Sequence, residues 1–530
     1  MRNKQPGKNI SQSGNFKEIQ FYPIFVVSVV FLIGLSVRLY YLPFDVPIIL
    51  DGQNYFWYAI DTSILGHFPS GYDFPNNGWP ALLSVFFSIF ESNDFLDYMN
   101  LQRILSVVIS SLTVIPIYLL CRRFVDAKYA VIGAGIFALD PRMIQNSLLG
   151  ITDSFFILLL SCSLAFSFST NRFGAYIGMG TAALAALIRY EGLLLIIPLL
   201  VIYYIRYGKT RNFKKYFALF AIFCLILLPM AYVRMTTDGY DGLTSHIIGN
   251  DGSALDYVIK TQITDNSSES GFFGFITNGL VNFGKYLGWI MIPIYIFLVP
   301  IGITRLITEK SNDTKALIIF SIIMALPALY AYARDLQDTR YLFFLTPILC
   351  LISAYSFKVI YSKFKMKKLV VIIIIGIVIG SITLLEFTKT DYDYEKDVYR
   401  VLDKITNSEM IINNFEPERQ YLKIIDISKT NFPALKESYK TPVIIEDKGF
   451  SNIEEFIQYG REQGLTHIAT DGLFIKNKQR NGVFLNDVFF NEQNYSYLEK
   501  EFESIENKYR YQFKIFKINY DDFDLIQDHK

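Results

Sequence analysis

Acidic residues and arginines stand beside the apolar segments of this chain at a few widely separated positions. Asp51 directly follows the first apolar segment, and Asp153 opens a later one. Arg189 and Glu191 interrupt another apolar stretch, and Arg340 precedes one nearer the C-terminus. An arginine binds a phosphate through two parallel hydrogen bonds, and a carboxylate can take a proton from an attacking hydroxyl group. This combination at a membrane surface predicts a reaction on an anionic lipid headgroup.

The composition indicates that membrane-spanning helices position these residues. Of the 530 residues, 52% are hydrophobic and 16% are aromatic, which is typical of an integral membrane protein. The net charge of +1 argues against a nucleic-acid-binding protein, which needs a concentrated basic surface. The four cysteines lie in or beside apolar segments without metal-ligand spacing, and we interpret them as small buried hydrophobic residues.

Apolar segments recur from residue 21 to about residue 387 and predict about eleven transmembrane helices. A helix needs about 20 residues to cross the hydrocarbon core of a bilayer. Two stretches, 129–168 and 173–206, are interpreted as hairpins because Asp140-Pro141 and Arg189-Tyr190-Glu191-Gly192 interrupt them. The predicted spans lie near residues 22–42, 100–120, 129–145, 151–168, 173–188, 191–206, 215–233, 284–304, 316–333, 341–361 and 368–387.

The basic residues predict how these helices are oriented. Loops on the cytoplasmic side of a membrane carry an excess of lysine and arginine, and every second predicted connection is rich in them. We therefore place the tail 1–21 in the cytoplasm and the connections 43–99 and 234–283 outside. The segment 43–102, which contains no lysine or arginine, fits that exterior position. Its apolar stretch 81–90 is too short to span, which predicts an interfacial or re-entrant helix.

The composition changes after residue 390, where apolar residues become fewer. The segments 441–447 and 466–471 have the pattern of short buried strands, and 453–463 has that of a helix between them. The alternation in 511–520 predicts a half-buried strand. Residues 390–530 are therefore predicted to form an α/β domain, and the odd number of spans places it outside the cytoplasm.

The residues beside the apolar segments resemble those of the polytopic C-type glycosyltransferases, the GT-C superfamily. That group includes protein O-mannosyltransferases and the enzymes that attach aminoarabinose to lipid A. The resemblance covers about residues 22–360 and depends on the order, spacing and shared side of several short motifs. These motifs are Asp51-Gly-Gln-Asn-Tyr55, Trp79-Pro80, Thr152-Asp153-Ser154, Arg189-Tyr190-Glu191-Gly192, and Arg340-Tyr341 followed by Pro347. Tyr190 departs from the family's Arg-Pro-Glu-Gly, and Gly52 stands where the family often has a second acidic residue.

The resemblance implies a fold and an activity. The fold is an all-α polytopic membrane domain, residues 22–387, followed by an extracytoplasmic α/β domain. The activity is transfer of a monosaccharide from a polyprenyl-phosphate-linked donor to a protein, lipid or glycan acceptor outside the cytoplasm, with inversion at the anomeric carbon. The sequence lacks the Trp-Trp-Asp triplet typical of oligosaccharyltransferases, which disfavours transfer of a whole oligosaccharide to asparagine.

The resemblance also implies roles for individual residues. Asp51 is the general base that activates the acceptor, and Asp153 positions the acceptor or a metal. Arg340, Arg189 and Tyr341 bind the phosphate of the donor. The further site residues, which contact the acceptor or the sugar, are Tyr55, Glu191 and Asp73. A divalent metal is compatible with this set, although the sequence specifies no cofactor.

Plainer interpretations of these residues stand beside the catalytic ones. Asp153 can cap the helix that it begins, and Arg340 can anchor a helix at the membrane interface. Arg189 and Glu191 are two residues apart and do not face each other on a helix, so the plainer interpretation is that they mark a turn. The alternative function is a transporter or flippase of a lipid-linked or small solute, which predicts charges near the middle of the bilayer and an internal repeat. The charges instead collect at one edge and no repeat is found, which favours the enzyme.

Overall fold

The computed structural model describes residues 16–48, 51–70, 76–92, 95–208, 213–241, 271–308, 311–364, 367–406, 410–413, 443–445, 450–471 and 484–528. The chain divides into two compact units. The membrane unit consists of Met1–Leu42, Ser70–Trp79 and Arg103–Thr388. The C-terminal unit consists of Pro43–Pro69, Pro80–Gln102 and Lys389–Lys530, so it includes most of the first predicted exterior connection.

Helices dominate the described residues. The α-helices are α1 (Phe16–Tyr40), α2 (Asp51–Leu65), α3 (Gly78–Phe87), α4 (Phe95–Leu112), α5 (Val114–Phe124), α6 (Ala127–Leu139), α7 (Pro141–Ser147), α8 (Asp153–Ser167), α9 (Arg172–Ile188), α10 (Ile196–Tyr207), α11 (Phe213–Asp238), α12 (Gly271–Met291), α13 (Tyr295–Thr308), α14 (Asn312–Ala333), α15 (Thr346–Phe364), α16 (Lys367–Phe387), α17 (Asp393–Thr406), α18 (Ile453–Glu462), α19 (Phe484–Phe490) and α20 (Tyr520–Asp528). Short 3₁₀ helices cover Tyr190–Leu195, Thr339–Leu345 and Glu492–Asn494. The strands are β1 (Ile411–Asn413), β2 (Val443–Ile445), β3 (His467–Asp471), β4 (Leu498–Glu503) and β5 (Phe513–Ile518).

The predicted fold class, a polytopic helical membrane protein with a small C-terminal α/β part, is confirmed. Among the described residues, seven helical stretches are long and apolar enough to cross a membrane. They are Pro23–Tyr40, Leu96–Phe124, Tyr190–Tyr207, Phe213–Thr237, Asn312–Ala333, Thr339–Lys363 and Lys368–Phe387. The shorter apolar helices α6, α8 and α9 lie where three further spans are predicted. The remaining predicted span, 284–304, corresponds to the pair α12 and α13.

That pair differs from the prediction of one straight span. α12 ends at Met291, α13 begins at Tyr295, and the two helices are bent by 105° at this break. Hydropathy runs through the break without interruption, so the apolar pattern alone does not locate it. α12 also makes residues 271–283 helical, where the sequence predicts part of the connection 234–283. Residues 242–270 of that connection lie outside the described residues.

The two breaks that the sequence predicts within its hairpins are present in the structure. Asp140 is extended, and its side chain accepts hydrogen bonds from the backbone N–H groups of Arg142 and Met143, which caps α7. Pro141 occupies the first position of α7, where its missing N–H costs nothing. Arg189 is likewise extended, with φ −144° and ψ 136°, and therefore separates α9 from the 3₁₀ helix that follows.

The C-terminal unit contains a five-stranded sheet in the order β2-β1-β3-β5-β4. β1 pairs with β2 and β3 in parallel, whereas β5 pairs with β3 and β4 in an antiparallel arrangement. α18 packs Ile453, Phe456 and Ile457 into the core beside the sheet. β5 lies between β3 and β4, and five of its six residues are buried, so the predicted half-buried pattern is wrong. Its buried Lys514 is neutralised by Glu492 at 2.7 Å.

Candidate functional site

A polar pocket lies within the membrane unit, among the ends of several helices. Three of its charged residues come from separate parts of the sequence: Asp153, Arg189 and Arg340. The other lining residues are Phe156, Glu191, Met324, Pro327, Ala328, Tyr341, Phe343 and Phe344. The structure therefore brings together five of the residues that the sequence analysis assigns to the site.

Chain connectivity explains why these residues meet. Asp153 is the first residue of α8, and Arg189 ends α9, which runs back along it. Arg340 belongs to the 3₁₀ helix that connects the end of α14 to the start of α15. Each charged residue thus occupies a helix terminus on the same side of the unit. Termini carry free backbone N–H and C=O groups, which makes such positions tolerant of polar side chains.

Arg189 joins two carboxylates at the centre of the pocket. Its Nη1 atom forms an ion pair with Oδ1 of Asp153, and its Nη2 atom lies 2.8 Å from Oε1 of Glu191. The Asp153 side chain is only 3% exposed, that of Glu191 11% and that of Arg189 18%. The guanidinium group also lies over the ring of Phe156, 6.0 Å from its centre. This arrangement fixes both carboxylates through one cation.

The pairing of Arg189 with Glu191 corrects the expectation that residues two apart do not face each other. That expectation holds for an α-helix, whereas Arg189 is extended and Glu191 lies in the first turn of a 3₁₀ helix. The change of backbone conformation turns both side chains to one side. A sequence signal for this geometry exists in the glycine at position 192, which interrupts the helical pattern.

Gly192 allows the turn that carries Glu191 to pack directly on α9. A Cβ atom at this position would lie 2.6 Å from the backbone N and Cα atoms of Ala186. Real Cβ atoms do not approach backbone so closely, so only glycine fits without displacement of the turn. The segment that holds Arg189 and Glu191 is therefore in van der Waals contact with the helix before it.

We expect Gly192→Ala to lower the free energy of unfolding by about 1–3 kcal/mol, because the new methyl group overpacks a rigid backbone contact. Thermal denaturation of the purified protein in detergent measures the effect. Gly376→Ala in α16 is the matched control, since nothing lies within 4 Å of the added Cβ atom. That control is expected to be neutral or to stabilise by about 0.5–1 kcal/mol through helix propensity. Equal melting temperatures for the two variants would contradict the proposed contact.

Arg340 is held differently from Arg189. Its Nε atom lies 2.6 Å from Oδ2 of Asp338, and its backbone N–H donates to Oδ1 of the same carboxylate at 2.8 Å. The side chains of Arg340 and Asp338 are 32% and 36% exposed. The Tyr332 hydroxyl donates to the Asp338 carbonyl at 2.8 Å and steadies the connection, and its ring meets Tyr341 edge-on at 5.9 Å. Arg340 is thus the more accessible of the two arginines.

Asp338 is a site residue that the sequence analysis did not assign. The sequence places it two residues before Arg340, in a connection with several other charges. Nothing in that pattern distinguishes it from Asp335, whose side chain instead accepts a hydrogen bond from Gln337. The 3₁₀ conformation of Thr339–Leu345, which starts just after Asp338, decides the pairing.

Asp153 also has a buried oxygen atom that faces no donor. Its Oδ2 atom has no hydrogen-bond partner among the described residues. The turn before it is fixed by Trp79, whose fully buried indole N–H donates to the Gly150 carbonyl at 3.0 Å. The residues described contain no group of three or more His, Cys, Asp or Glu side chains that could hold a metal ion. A carboxylate oxygen of this kind suits an acceptor hydroxyl group or a single-ligand contact to a cation.

Two of the other predicted site residues belong to the C-terminal unit. Asp51 is the exposed first residue of α2, and Tyr55 lies one turn later on the same helix, half-buried. The carbonyl of Gly52, the next residue after Asp51, accepts a hydrogen bond from the buried Gln102 side chain at 2.9 Å, which anchors the start of α2. Asp73 lies outside the described residues.

A second buried charged group lies in the membrane unit and was missed by the sequence analysis. Arg38 at the end of α1 is fully buried and donates to Ser110 at 3.2 Å and to the Ala138 carbonyl at 2.8 Å. Asp140, which follows α6, accepts a hydrogen bond from Tyr295 at 2.8 Å. These charges also occupy helix ends rather than helix centres.

Comparisons with known proteins agree with this architecture. Residues 78–233 match the family model of dolichyl-phosphate-mannose-protein mannosyltransferase. The structure of ArnT from Cupriavidus metallidurans bound to undecaprenyl phosphate is similar, with a TM-score of 0.53, 11% sequence identity, and 94% of this chain and 98% of that chain covered. The apo oligosaccharyltransferase of Archaeoglobus fulgidus gives a TM-score of 0.52 at 12% identity, with 91% of this chain and 73% of that chain covered. No curated protein sequence matches the chain.

From these comparisons, the protein is a multi-pass membrane protein with the fold of the C-type glycosyltransferases. The resemblance seen in the motifs is therefore confirmed. The family match includes Asp153, Arg189 and Glu191. Asp51 and Arg340 lie outside the matched segment.

Proposed function

We propose that the chain is a membrane glycosyltransferase that moves a monosaccharide from a polyprenyl-phosphate-linked donor to a protein, lipid or glycan acceptor outside the cytoplasm. The observation that carries this proposal is the pocket in which Arg340 lies beside the buried Asp153–Arg189–Glu191 group. Two of the similar structures support the donor class, because one contains undecaprenyl phosphate and another, the Archaeoglobus fulgidus AglB complex (TM-score 0.50, 12% identity), contains dolichol-phosphate.

The two arginines have different roles in this proposal. Arg340, with Tyr341, binds the donor phosphate and stabilises the negative charge that grows on it as the sugar leaves. Arg189 also binds the donor phosphate in this proposal, but most of its N–H groups already donate to Asp153 and Glu191. Its main role is therefore to hold these two carboxylates in fixed positions. Glu191 and Asp153 then orient the hydroxyl groups of the sugar or of the acceptor.

The chemical step is a single displacement. Asp51 accepts a proton from the acceptor nucleophile, whose oxygen or nitrogen atom forms a bond to the anomeric carbon of the sugar. The bond between that carbon and the phosphate oxygen breaks, and the electron pair leaves with the polyprenyl phosphate. The nucleophile enters opposite the leaving group, so the configuration inverts. Tyr55, one turn beyond Asp51, contacts the acceptor in this scheme, and so does Asp73 from the same predicted connection.

A direct assay tests this function. The purified protein in lipid vesicles is incubated with a polyprenyl-phosphate-linked sugar labelled in the sugar and with extracted surface glycolipid or protein as acceptor. Transfer of label to the acceptor, with release of polyprenyl phosphate, is the expected result. Movement of the intact labelled donor across the vesicle bilayer, with no covalent product, would instead indicate the flippase.

The orientation proposed for the chain has its own test. Ser451 is exposed in the C-terminal unit, and Ser11 lies in the basic N-terminal tail. We expect Ser451→Cys to react with a membrane-impermeant maleimide on intact cells, and Ser11→Cys to react only after permeabilisation. The unmodified chain, in which Cys121 and Cys350 are buried and Cys162 and Cys224 half-buried, gives the background. Labelling in the reverse order would overturn the proposed orientation.

A further inference from the structure

Within the membrane unit, α12 differs in direction from the helix that follows it. Its neighbour α13 runs alongside α15, which belongs to the apolar stretch Thr339–Lys363. The Tyr295 hydroxyl lies 3.4 Å from Sγ of Cys350, and the Ser356 hydroxyl donates to the Leu298 carbonyl further along the pair. α13 therefore follows the direction of a spanning helix. A bend of 105° sets α12 close to perpendicular to that direction.

The polar and aromatic contacts of α12 are concentrated at one end of its neighbour α14. Asn282 donates from its side chain to the Tyr332 carbonyl at 3.1 Å, and the rings of Tyr286 and Tyr332 stack 5.0 Å apart. The Tyr286 hydroxyl donates to the side chain of Gln337 at 3.1 Å. These partners belong to the last turn of α14 or to the connection after it. Two turns of α12 thus meet a single end of α14.

The two faces of α12 have unusual compositions. The buried face repeats every three or four residues and consists of Gly279, Asn282, Tyr286 and Ile290. The exposed side is mainly apolar: Phe273 is 82% exposed, and Ile276, Leu280, Val281 and Trp289 are exposed with it. Thr277 and Asn278 are the exposed uncharged polar residues of this side. Lys285 is the single charged residue of the helix. Most of the large apolar side chains thus face outward, whereas a helix on a water-soluble surface turns them toward the protein.

We propose that α12 lies parallel to the membrane plane at the extracytoplasmic surface of the bilayer, with its apolar side among the acyl chains. Exposed apolar side chains are also present on the adjoining α13, where Phe297 is 77% exposed. A helix of this kind binds a membrane interface through the apolar area that it buries. Exposure of so large an apolar surface to water is unfavourable. The helix has a single charged residue, Lys285, which disfavours a polar protein partner.

This position has a consequence that goes beyond the proposed reaction. α12 contacts Tyr332 and Gln337, and Gln337 directly precedes Asp338 in the connection that carries Arg340. A helix embedded at the interface therefore holds Arg340 at the depth of the lipid headgroups. This consequence rests on the proposed function, in which Arg340 binds the donor phosphate: the bilayer then helps to position that side chain.

Depth-dependent quenching of tryptophan fluorescence tests the placement without any sugar donor. Trp57 and Trp79 are buried, whereas Trp289 is 51% exposed. The protein is reconstituted in phosphatidylcholine vesicles that carry bromine at shallow, middle or deep acyl positions. The signal of Trp289 is the difference between the unmodified chain and Trp289→Phe. Phe273→Trp in the Trp289→Phe background reports the other end of α12.

We expect both positions to be quenched most strongly by the shallow bromines and to report the same depth. Leu32→Trp in the middle of α1, also in the Trp289→Phe background, is the control and should respond most to the deep bromines. A membrane-spanning α12 would separate residues 273 and 289 by about 24 Å of depth, and this result would overturn the proposal. Loss of quenching at both positions, with the control intact, would also overturn it by showing that water or a protein partner covers the face.

Discussion

Asp51→Asn is expected to lower kcat for sugar transfer by about 10²–10⁴-fold, because asparagine keeps the shape of the side chain but cannot accept a proton. The effect is the largest that we predict, since the proposed scheme contains one general base. Initial rates of transfer from a labelled polyprenyl-phosphate sugar measure it. Binding of the donor lipid should be unchanged, because the proposed phosphate contacts belong to Arg340 and its neighbours. The expected signature is therefore a loss of kcat at constant donor affinity.

Asp45→Asn is the matched control for Asp51. Asp45 lies in the same acid-rich segment, its side chain is 85% exposed, and its nearest basic partner is Lys396 at 3.9 Å. Exposed pairs of this kind contribute little to stability, so the control should retain full activity. If Asp51→Asn retained full transfer activity in the same assay, the base assignment would be wrong, although the donor class would stand.

Arg340→Gln is expected to lower kcat/KM for the lipid donor by about 10²–10³-fold, the loss typical when one group that stabilises a developing anion is removed. Arg340→Lys should recover part of the activity, because it restores the positive charge without the planar, two-pronged donor geometry. The dependence of the rate on donor concentration, measured for both variants, separates binding from chemistry. Arg340→Gln is expected to lower both kcat and the affinity for the donor, whereas Asp51→Asn is expected to lower kcat alone.

Arg334→Gln supplies the control in the same connection. Arg334 is exposed and its guanidinium group lies over the ring of Tyr330, 5.6 Å from its centre. Its removal changes the local net charge by the same amount as Arg340→Gln does. Equal losses for the two variants would show that the connection acts only through its overall charge, and the specific role of Arg340 would be abandoned.

Much of the architecture follows from residue patterns that act locally. A helix in lipid must satisfy its own backbone hydrogen bonds, so long apolar segments predict the positions of helices well. Asp140-Pro141 and Gly192 interrupt the apolar pattern with residues that favour chain reversal, and the structure breaks the helices there. The convergence of Asp153, Arg189 and Arg340 follows from the order of the helices once their alternating directions are known.

Other features depend on contacts that a pattern does not contain. The bend after Met291 separates two segments of similar hydropathy, and the contacts of α12 with Tyr332 decide it. The pairing of Arg189 with Glu191 depends on an extended backbone at Arg189. The grouping of residues 43–69 with the C-terminal part of the chain is a property of tertiary packing and has no local signal.

The close contact at Gly192 determines which part of the pocket can respond to a substrate. One side, which carries Arg189 and Glu191, is clamped against the backbone of α9 and closed by buried ion pairs. The other side carries Arg340 on a partly solvated connection, in which Asp335 adopts a positive φ of 60°, a conformation that aspartate tolerates better than most residues. The Arg340 side chain, which is 32% exposed, therefore has more room to change its rotamer when a substrate binds than the Arg189 side chain, which is 18% exposed.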